Sequence, residues 1–415
     1  MTENRRASYE LSQARDVVTR TIRLSADKQI IQRVCVEGND LPGDAQSVFD
    51  QVFLRKRDWR IRGERRPAVR SADLFCGCGG LSLGLREAAS AVDRAVEFVL
   101  AVDQNAASLN VYQDNFAPEH ALQLDIRSVL TGDLGTPASN REIEFRAMAG
   151  RVDVLLAGPP CQGHSDLNNH TRRQDIRNKL YERVARFAEI VRPTYILVEN
   201  VPAIVHSYED TLCITIKHLS RLGYFTDSGT VNLLDLGVPQ NRKRHVLVAS
   251  LDNARHPKID DVIAKHKVDQ TRDLQWAIQD LEMELGDNPF TSASRYSADN
   301  QRRIEYLHRN GLYELPNHMR PPCHQNGHTY KSVYGRLNYS EPAQTITGGF
   351  SCPGQGRYVH PTQTRTLTPH EAARLQFFPD SFDFSSVSSR TALATMIGNA
   401  VPMKLAYAFS MEYLA

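Results

Sequence analysis

A dominant charge is what this chain most obviously lacks. Its 50 lysines and arginines stand against 48 acids, a formal net charge of only +2. Binding to a polyanion must then rest on local basic patches. Long apolar runs are also missing, which excludes a bilayer-spanning helix, and no secretory signal is evident. The seven cysteines are odd in number and irregularly spaced. That argues against a disulfide framework and for a reducing compartment. Internal repeats and low-complexity tracts are absent too. What is present is a 41% hydrophobic share over 415 residues. This predicts a folded protein with one large domain plus a smaller one.

The most informative stretch is Pro159-Pro160-Cys161-Gln162. It follows Val152 to Gly158, an apolar run that reads as a buried strand. Two prolines stop that strand and stiffen the backbone. A cysteine held at such a strand end is a candidate nucleophile. Three further blocks supply partners. Asp73-Leu74-Phe75-Cys76-Gly77-Cys78-Gly79-Gly80-Leu81-Ser82-Leu83-Gly84 places glycines between a strand, Ser71 to Phe75, and a helix from Leu81 to Ala89. Such glycines let a backbone approach a ligand closely. A second strand, Phe98 to Val102, ends in Asp103, an acid whose spacing suits a ribose diol. After Leu122 to Leu124 comes Asp125, placed to accept from an adenine amino group. Tyr195 to Pro202 is a β-rich run with Glu199 near its end, on the sheet edge expected for Cys161. Gln240-Asn241-Arg242-Lys243-Arg244 opens the strand His245 to Ala249, with Arg242 and Arg244 expected to point the same way.

Together these blocks resemble the DNA cytosine-5 methyltransferases, over about residues 70 to 410 and in that family's order. Asp175 to Leu180 resembles the element after the catalytic loop. Arg336 to Thr347 resembles the block that organises the recognition domain, and Ile397-Gly398-Asn399-Ala400-Val401-Pro402 the C-terminal cofactor motif. Two small departures are Cys76, where the family often has alanine, and Asp103, where it often has glutamate.

The resemblance implies an α/β, doubly wound, Rossmann-like S-adenosylmethionine-dependent domain with a smaller target-recognition domain. Its implied cofactor contacts are Phe75, Gly77, Cys78, Gly79, Gly80, Leu81, Asp103, Gln104, Asp125, Ile126, Pro160, Leu180, Asn399 and Val401. Its implied catalytic set is Cys161, Glu199, Arg242 and Arg244. Cys161 would add as a thiolate to carbon 6 of a flipped-out cytosine. Glu199 would hold the base at nitrogen 3 and its amino group, a task suited to an acid with a raised pKa. Arg244 would reach the carbonyl oxygen, with Arg242 supporting the same loop. Gln162 to Arg177, with Gly163 as a hinge and Arg172, Arg173 and Arg177 for phosphates, would close behind the base. The implied partner is duplex DNA, and a cognate restriction endonuclease acting on the same site is compatible with it. A bacterial, cytoplasmic, nucleoid-associated protein is expected. A tRNA-directed relative and a non-catalytic DNA-binding relative remain alternatives, and a nucleotide-dependent oxidoreductase would explain only the glycine loop.

The expected organisation is an N-terminal extension, 1–68; a cofactor-binding domain, 69–250; a recognition domain, 251–335; and a return segment, 336–415, whose last helix packs on the first domain. The alternation of strands and helices over Ser71 to Ser250 implies a parallel sheet covered on both faces. Within the extension, Leu11 to Val34 has mixed helical periodicity. Arg55 to Arg66, around Trp59 and Ile61, reads as a basic edge strand or arm, either packed on the body or touching DNA phosphates. His318, Cys323, His324 and His328 have a spacing that zinc tolerates, but with one cysteine in a loop-like setting no metal is expected.

Overall fold

The computed structural model describes residues 5–25, 27–36, 41, 43–57, 67–160, 180–206, 210–325 and 332–415. Cys161, the loop from Gln162 to Arg177, the arm around Trp59 and Ile61, and His328 lie outside the described residues. Three strands come first: β1 (Ala7–Leu11), β2 (Val17–Arg23) and β3 (Gln29–Cys35), followed by α1 (Ala45–Leu54). The helical expectation for Leu11 to Val34 is therefore overturned, because these residues form an antiparallel three-stranded sheet. In β2 the inward positions are Val18, Arg20 and Ile22. The buried arginine at the middle of that face masks the period of two.

The central sheet comprises β4 (Ala68–Leu74), β5 (Ala95–Asp103), β6 (His120–Gln123), β7 (Val154–Ala157), β8 (Tyr195–Asn200), β9 (Phe225–Asn232) and, after the short β10 (Gln240–Asn241), β11 (Lys243–Ser250). Its order is β6-β5-β4-β7-β8-β11-β9. The helices α2 (Gly80–Ala91), α3 (Ala106–Phe116), α4 (Asn140–Ala149), α5 (Leu180–Val191) and α6 (Thr211–Arg221) connect the strands. β7 and β8 are apolar over most of their length because helices cover both faces. Leu156 and Leu197 face α2 and α13 (Met403–Leu414), while Leu155 and Val198 face α4, α5 and α6.

The sheet is parallel from β6 to β8, and the α/β class expected from the sequence holds. β11 departs from the all-parallel expectation, running antiparallel to β8 and β9. The link from β9 to β11 is too short for the crossover helix a parallel pair requires. The strand order reverses between β5 and β7 on either side of β4. In open α/β sheets ligands bind at the carboxyl ends of strands at such a switch point.

Beyond the sheet come α7 (Ile259–His266), α8 (Leu274–Ile278), α9 (Ala298–Arg309), α10 (Pro322–Gln325), β12 (Gly335–Arg336), β13 (Ala343–Gln344), β14 (Arg357–Val359), α11 (Pro369–Leu375) and α12 (Arg390–Asn399), ahead of α13. Ile259, Val262, Leu274, Trp276 and Leu281 join the main core. Ile304, Leu307, Leu315, Val333, Tyr334 and Val359 form a separate small core. α13 lies against α2, where Gly84 leaves room for the backbone of Met403 and Tyr407. The N-terminal unit is tied to the body by buried polar contacts. Asp50 is bound by Arg272 and by Lys404 Nζ at 2.6 Å, and Glu412 by Arg6 at 2.5 Å. No helix among the described residues is long and apolar enough to cross a membrane.

Candidate active site

The glycine loop leaves β4 with a left-handed turn. Phe75 (φ 59°), Gly77 (φ 53°) and Gly79 (φ 96°) all have positive φ. Phe75 is a non-glycine residue in a region that costs energy and that recurs at functional sites. Gly77 N–H donates to Asp103 Oδ2 at 2.8 Å, and Asn105 N–H to Asp103 Oδ1 at 2.8 Å. The loop is thus pinned to the end of β5. Among the described residues, a side chain at Gly77 would meet nothing within 4 Å. At Gly80 the situation is opposite, because a Cβ would collide with the backbone carbonyl of Val401. The C-terminal motif is therefore in direct contact with the first turn of α2. Cys78 and Leu81 are buried beneath the loop.

Burial dominates the electrostatics here. Asp73, 1% exposed, has its carboxyl pushed up to about 8 by desolvation, with the charge of Asp103 adding to the effect. The Ser82 hydroxyl donates to its Oδ2 at 2.7 Å, and its Oδ1 has no hydrogen-bond partner among the described residues. Burial also raises the Cys76 and Cys78 thiols, Cys78 to about 12, so these cysteines are inert thiols at neutral pH. The Asp103 carboxyl is raised by burial, opposed by its backbone donors.

At the end of β6, Asp125 caps the turn that buries Ile126. Its carboxylate is gripped by Arg127, with Nη2 on Oδ2 at 2.5 Å and Nε 3.0 Å from each oxygen. That contact lowers the Asp125 pKa. The adenine amino group expected at Asp125 would share these oxygens with Arg127. Gln104 is exposed beside this edge.

The second half of the site gathers at β7, β8 and β11. Gly158 N–H donates to Leu74 O at 3.2 Å, and the Asn200 amide donates to Pro159 O at 3.2 Å. The turn leading into Cys161 is therefore held by β4 on one side and by the end of β8 on the other. Pro160, half-buried, is the last described residue before it. A Cβ on Gly158 would lie 3.9 Å from both Glu199 Oε2 and Phe75 O, so Glu199 and the glycine loop border the same turn. Glu199 is buried and paired with Arg244, Nε to Oε1, at 2.6 Å. The antiparallel run of β11 explains this pairing. It brings the first residues of β11 beside the last of β8, with Val246 opposite Glu199. A parallel strand would have carried Arg244 to the opposite edge.

Arg242 and Arg244 do not share a task. Residue 242 breaks the strand between β10 and β11. The Arg242 guanidinium is buried and donates to Ile346 O at 2.8 Å, Ala400 O at 3.1 Å and Gly398 O at 3.4 Å. It is thus directed toward the Ile397–Val401 turn, where Asn399 is exposed and Val401 buried. Thr345 Oγ1 donates to Asn241 O at 2.7 Å, and β13 pairs with β10, so the Arg336 to Thr347 block is bound directly to the Gln240–Arg242 motif.

Two residues were not singled out in the sequence. Gln376 binds Gln240 and the turn at residues 397–400. A glutamine between Leu375 and the apolar pair Phe377-Phe378 was the available signal. Tyr181, next to the buried Leu180 at the start of α5, is 1% exposed, and its hydroxyl has no hydrogen-bond partner among the described residues. The basic segment is partly described: Arg55 pairs with Asp280 at 3.2 Å and Arg57 with Glu284 at 2.7 Å. The rings of His318 and His324 pack on Tyr306 and Tyr334.

Comparison with known proteins agrees with this arrangement. The profile of the C-5 cytosine-specific DNA methylase family matches residues 69–413. The Type II methyltransferase M1.BsuMI of Bacillus subtilis is 43% identical over 401 residues, 96% of this chain and 93% of that protein. The Type II methylase M.HgiDII of Herpetosiphon aurantiacus is 29% identical over 348 residues, 80% of this chain and 91% of that one. In fold, the chain is similar to a DNA modification methyltransferase encoded within an E. coli prophage (TM-score 0.58, 23% identity, 83% of this chain and 98% of that one). It is also similar to the Dnmt2 methyltransferase of S. pombe (TM-score 0.56, 20% identity, 83% and 98% covered).

Proposed function

Because the chain belongs to the C-5 cytosine-specific DNA methylase family, we propose that it methylates carbon 5 of a cytosine in a specific duplex DNA sequence, using S-adenosylmethionine. The observation that carries this reading is the Glu199–Arg244 pair at the sheet edge, bordering the turn that leads into Cys161. By likeness to Type II methyltransferases, the enzyme would protect the recognition site of a cognate endonuclease in the cytoplasm.

The residues present fit the cofactor. Among the described residues, Gly77 has open space on its Cα side, Asp103 offers a half-buried carboxylate, and Asp73 has a buried oxygen without a partner. Phe75, Ile126, Pro160, Leu180 and Val401 would supply apolar contacts. The backbone of Cys78, Gly79, Gly80 and Leu81, with Gln104, Asp125 and Asn399, would supply the polar ones. When bound, S-adenosylmethionine provides a sulfonium-activated methyl group.

The chain's own residues prepare the base. Carbon 6 of cytosine is unreachable in a stacked duplex, so the target must leave the helix at a cost of a few kcal/mol. The Cys161 thiolate adds to carbon 6, which makes carbon 5 enamine-like. Glu199 holds nitrogen 3 and the amino group, and supplies the proton the ring gains there. Arg244 turns from Glu199 toward the carbonyl oxygen. Their mutual contact at 2.6 Å keeps both groups at this edge before the base arrives. Once carbon 5 carries the methyl group, its proton passes to solvent water, the Cys161 thiolate is expelled and the nitrogen 3 proton returns to Glu199, which ends the cycle. Arg242 acts by holding the loops rather than by touching the base. We assign target recognition to residues 251–335, a reading supported by the separate small core of Ile304, Leu307 and Leu315.

Incubating the purified chain with methyl-labelled S-adenosylmethionine, duplex genomic DNA and tRNA side by side tests this reading. The expected outcome is 5-methylcytosine in the duplex at one fixed sequence. Label confined to tRNA, or on the exocyclic amine, contradicts it.

A further inference from the structure

We propose that Gln376 is a positioning residue for the cofactor, its carboxamide fixing the 397–401 turn that presents Asn399 and Val401. The inference rests on the reading above that assigns those two residues to S-adenosylmethionine.

Gln376 follows the last residue of α11 and is fully buried. Its amide nitrogen donates to Ile397 O at 2.6 Å and Ala400 O at 3.1 Å, with Gly398 O at 3.4 Å. Its amide oxygen accepts from Gln240 Nε2 at 2.7 Å. Gln240 donates in addition to Leu375 O at 2.7 Å and accepts from Ile346 N–H at 3.2 Å. The two glutamines thus form one buried chain from the Ile346 segment to the turn.

The turn needs such a donor. It ends α12, and the last carbonyls of a helix have no partner within the helix. Pro402 prevents continuation, so those carbonyls must be satisfied from elsewhere. Gln376 and Arg242 do this from one side. Close packing fixes the other sides: Gly398 abuts Thr347 and Gly348, and Val401 O abuts Gly80. Asn399 is the exposed member of the turn. A glutamate at 376 would set a carboxylate against carbonyl oxygens, and a lysine would bury a charge. A neutral amide with a donor on one end and an acceptor on the other meets both demands. Without it, the carbonyls of Ile397 and Ala400 lose a buried donor and the turn gains freedom to rotate.

The test uses full-length Gln376→Met, which keeps the volume and removes both hydrogen-bonding ends. S-adenosylhomocysteine is titrated calorimetrically, and amide hydrogen exchange is followed in the peptide spanning residues 393–403. The dissociation constant should rise roughly tenfold, the loss of one buried hydrogen bond. Exchange in that peptide should accelerate, while kcat at saturating cofactor stays within about twofold and KM carries the effect. A folded variant with wild-type affinity and exchange overturns the proposal. If Gln376→Met shows no cooperative melt, Gln240→Met replaces it, removing the group that orients Gln376 without touching the turn. A rise of about threefold or more supports the proposal there, and no rise overturns it. A wild-type chain that does not bind S-adenosylhomocysteine overturns the cofactor reading itself, a result separable from a variant that binds like wild type.

Discussion

Gly80→Ala probes the contact on which the cofactor half of the site depends. A Cβ at residue 80 would lie under 3.0 Å from the Val401 carbonyl oxygen, with the Val401 carbonyl carbon 3.2 Å away. Both groups are backbone, so no rotamer change relieves the overlap. Either α2 moves off the 397–401 turn or the turn moves off α2. Overpacking of this kind costs about 1–3 kcal/mol, a factor of roughly 5 to 150 in the folded-to-unfolded ratio. Gly77→Ala is the control. Its Cβ would meet nothing among the described residues, so the cost there is the left-handed backbone, about 1–2 kcal/mol. Urea unfolding of the two variants gives their stabilities, and calorimetry with S-adenosylhomocysteine gives their affinities. Gly80→Ala should lose affinity by about tenfold or more, because the glycine loop and the Asn399 turn no longer meet. A folded Gly80→Ala chain with unchanged stability and affinity would refute the packing argument.

Other outcomes follow from the same geometry. Glu199→Gln should lower methyl transfer about 10²- to 10⁴-fold with cofactor affinity nearly unchanged, and Asp103→Ala should show the reverse in paired kinetic and binding assays. The contribution of Asp73 to stability should fall as pH rises from about 4 to about 8. An ordinary aspartate ionises near 4 in the unfolded chain, whereas burial holds the Asp73 proton in the folded chain up to about 8. The folded state then binds more protons across that window, and the stability present below it is lost toward its upper end. Melting curves of Asp73→Asn should show a flatter pH dependence, and an identical slope would refute the assignment. Because Arg55 and Arg57 are ion-paired with Asp280 and Glu284, an Arg55/Lys56/Arg57 triple-alanine variant should keep the salt dependence of DNA affinity. A fall of about 0.9 in log–log slope would mean that a phosphate contact had been removed.

Much of the fold was legible where strands are buried on both faces. Val154–Ala157 and Tyr195–Asn200 are apolar enough to read directly. The N-terminal sheet was not legible, because Arg20 occupies an inward position of β2, satisfied there by the Tyr407 hydroxyl at 3.0 Å and by Gln32. A long-range partner of that kind leaves no local trace. The direction of β11 was hidden for a related reason: strand residues look alike whichever way the strand runs, and only the short link from β9 decides. The motif residues Glu199, Arg244, Asp103 and Asn399 could be named from sequence, but the division of labour between Arg242 and Arg244 could not. It arises from the break at residue 242, which breaks the alternation expected of one continuous strand. Gln376 escaped notice because a glutamine just past a helix end says nothing, in sequence, about which carbonyls await it.

The central claim is covalent catalysis at carbon 6 of cytosine, and one trapping experiment addresses it most directly. Duplex DNA carrying 5-fluorocytosine at the target position is incubated with the full-length enzyme and S-adenosylmethionine, since fluorine cannot leave as a proton does. Peptide mapping by mass spectrometry should then find the methylated, fluorinated cytosine bonded to Cys161, and Cys161→Ala should yield neither the adduct nor 5-methylcytosine on normal DNA. Full activity in Cys161→Ala, or an adduct on a different residue, would contradict the account.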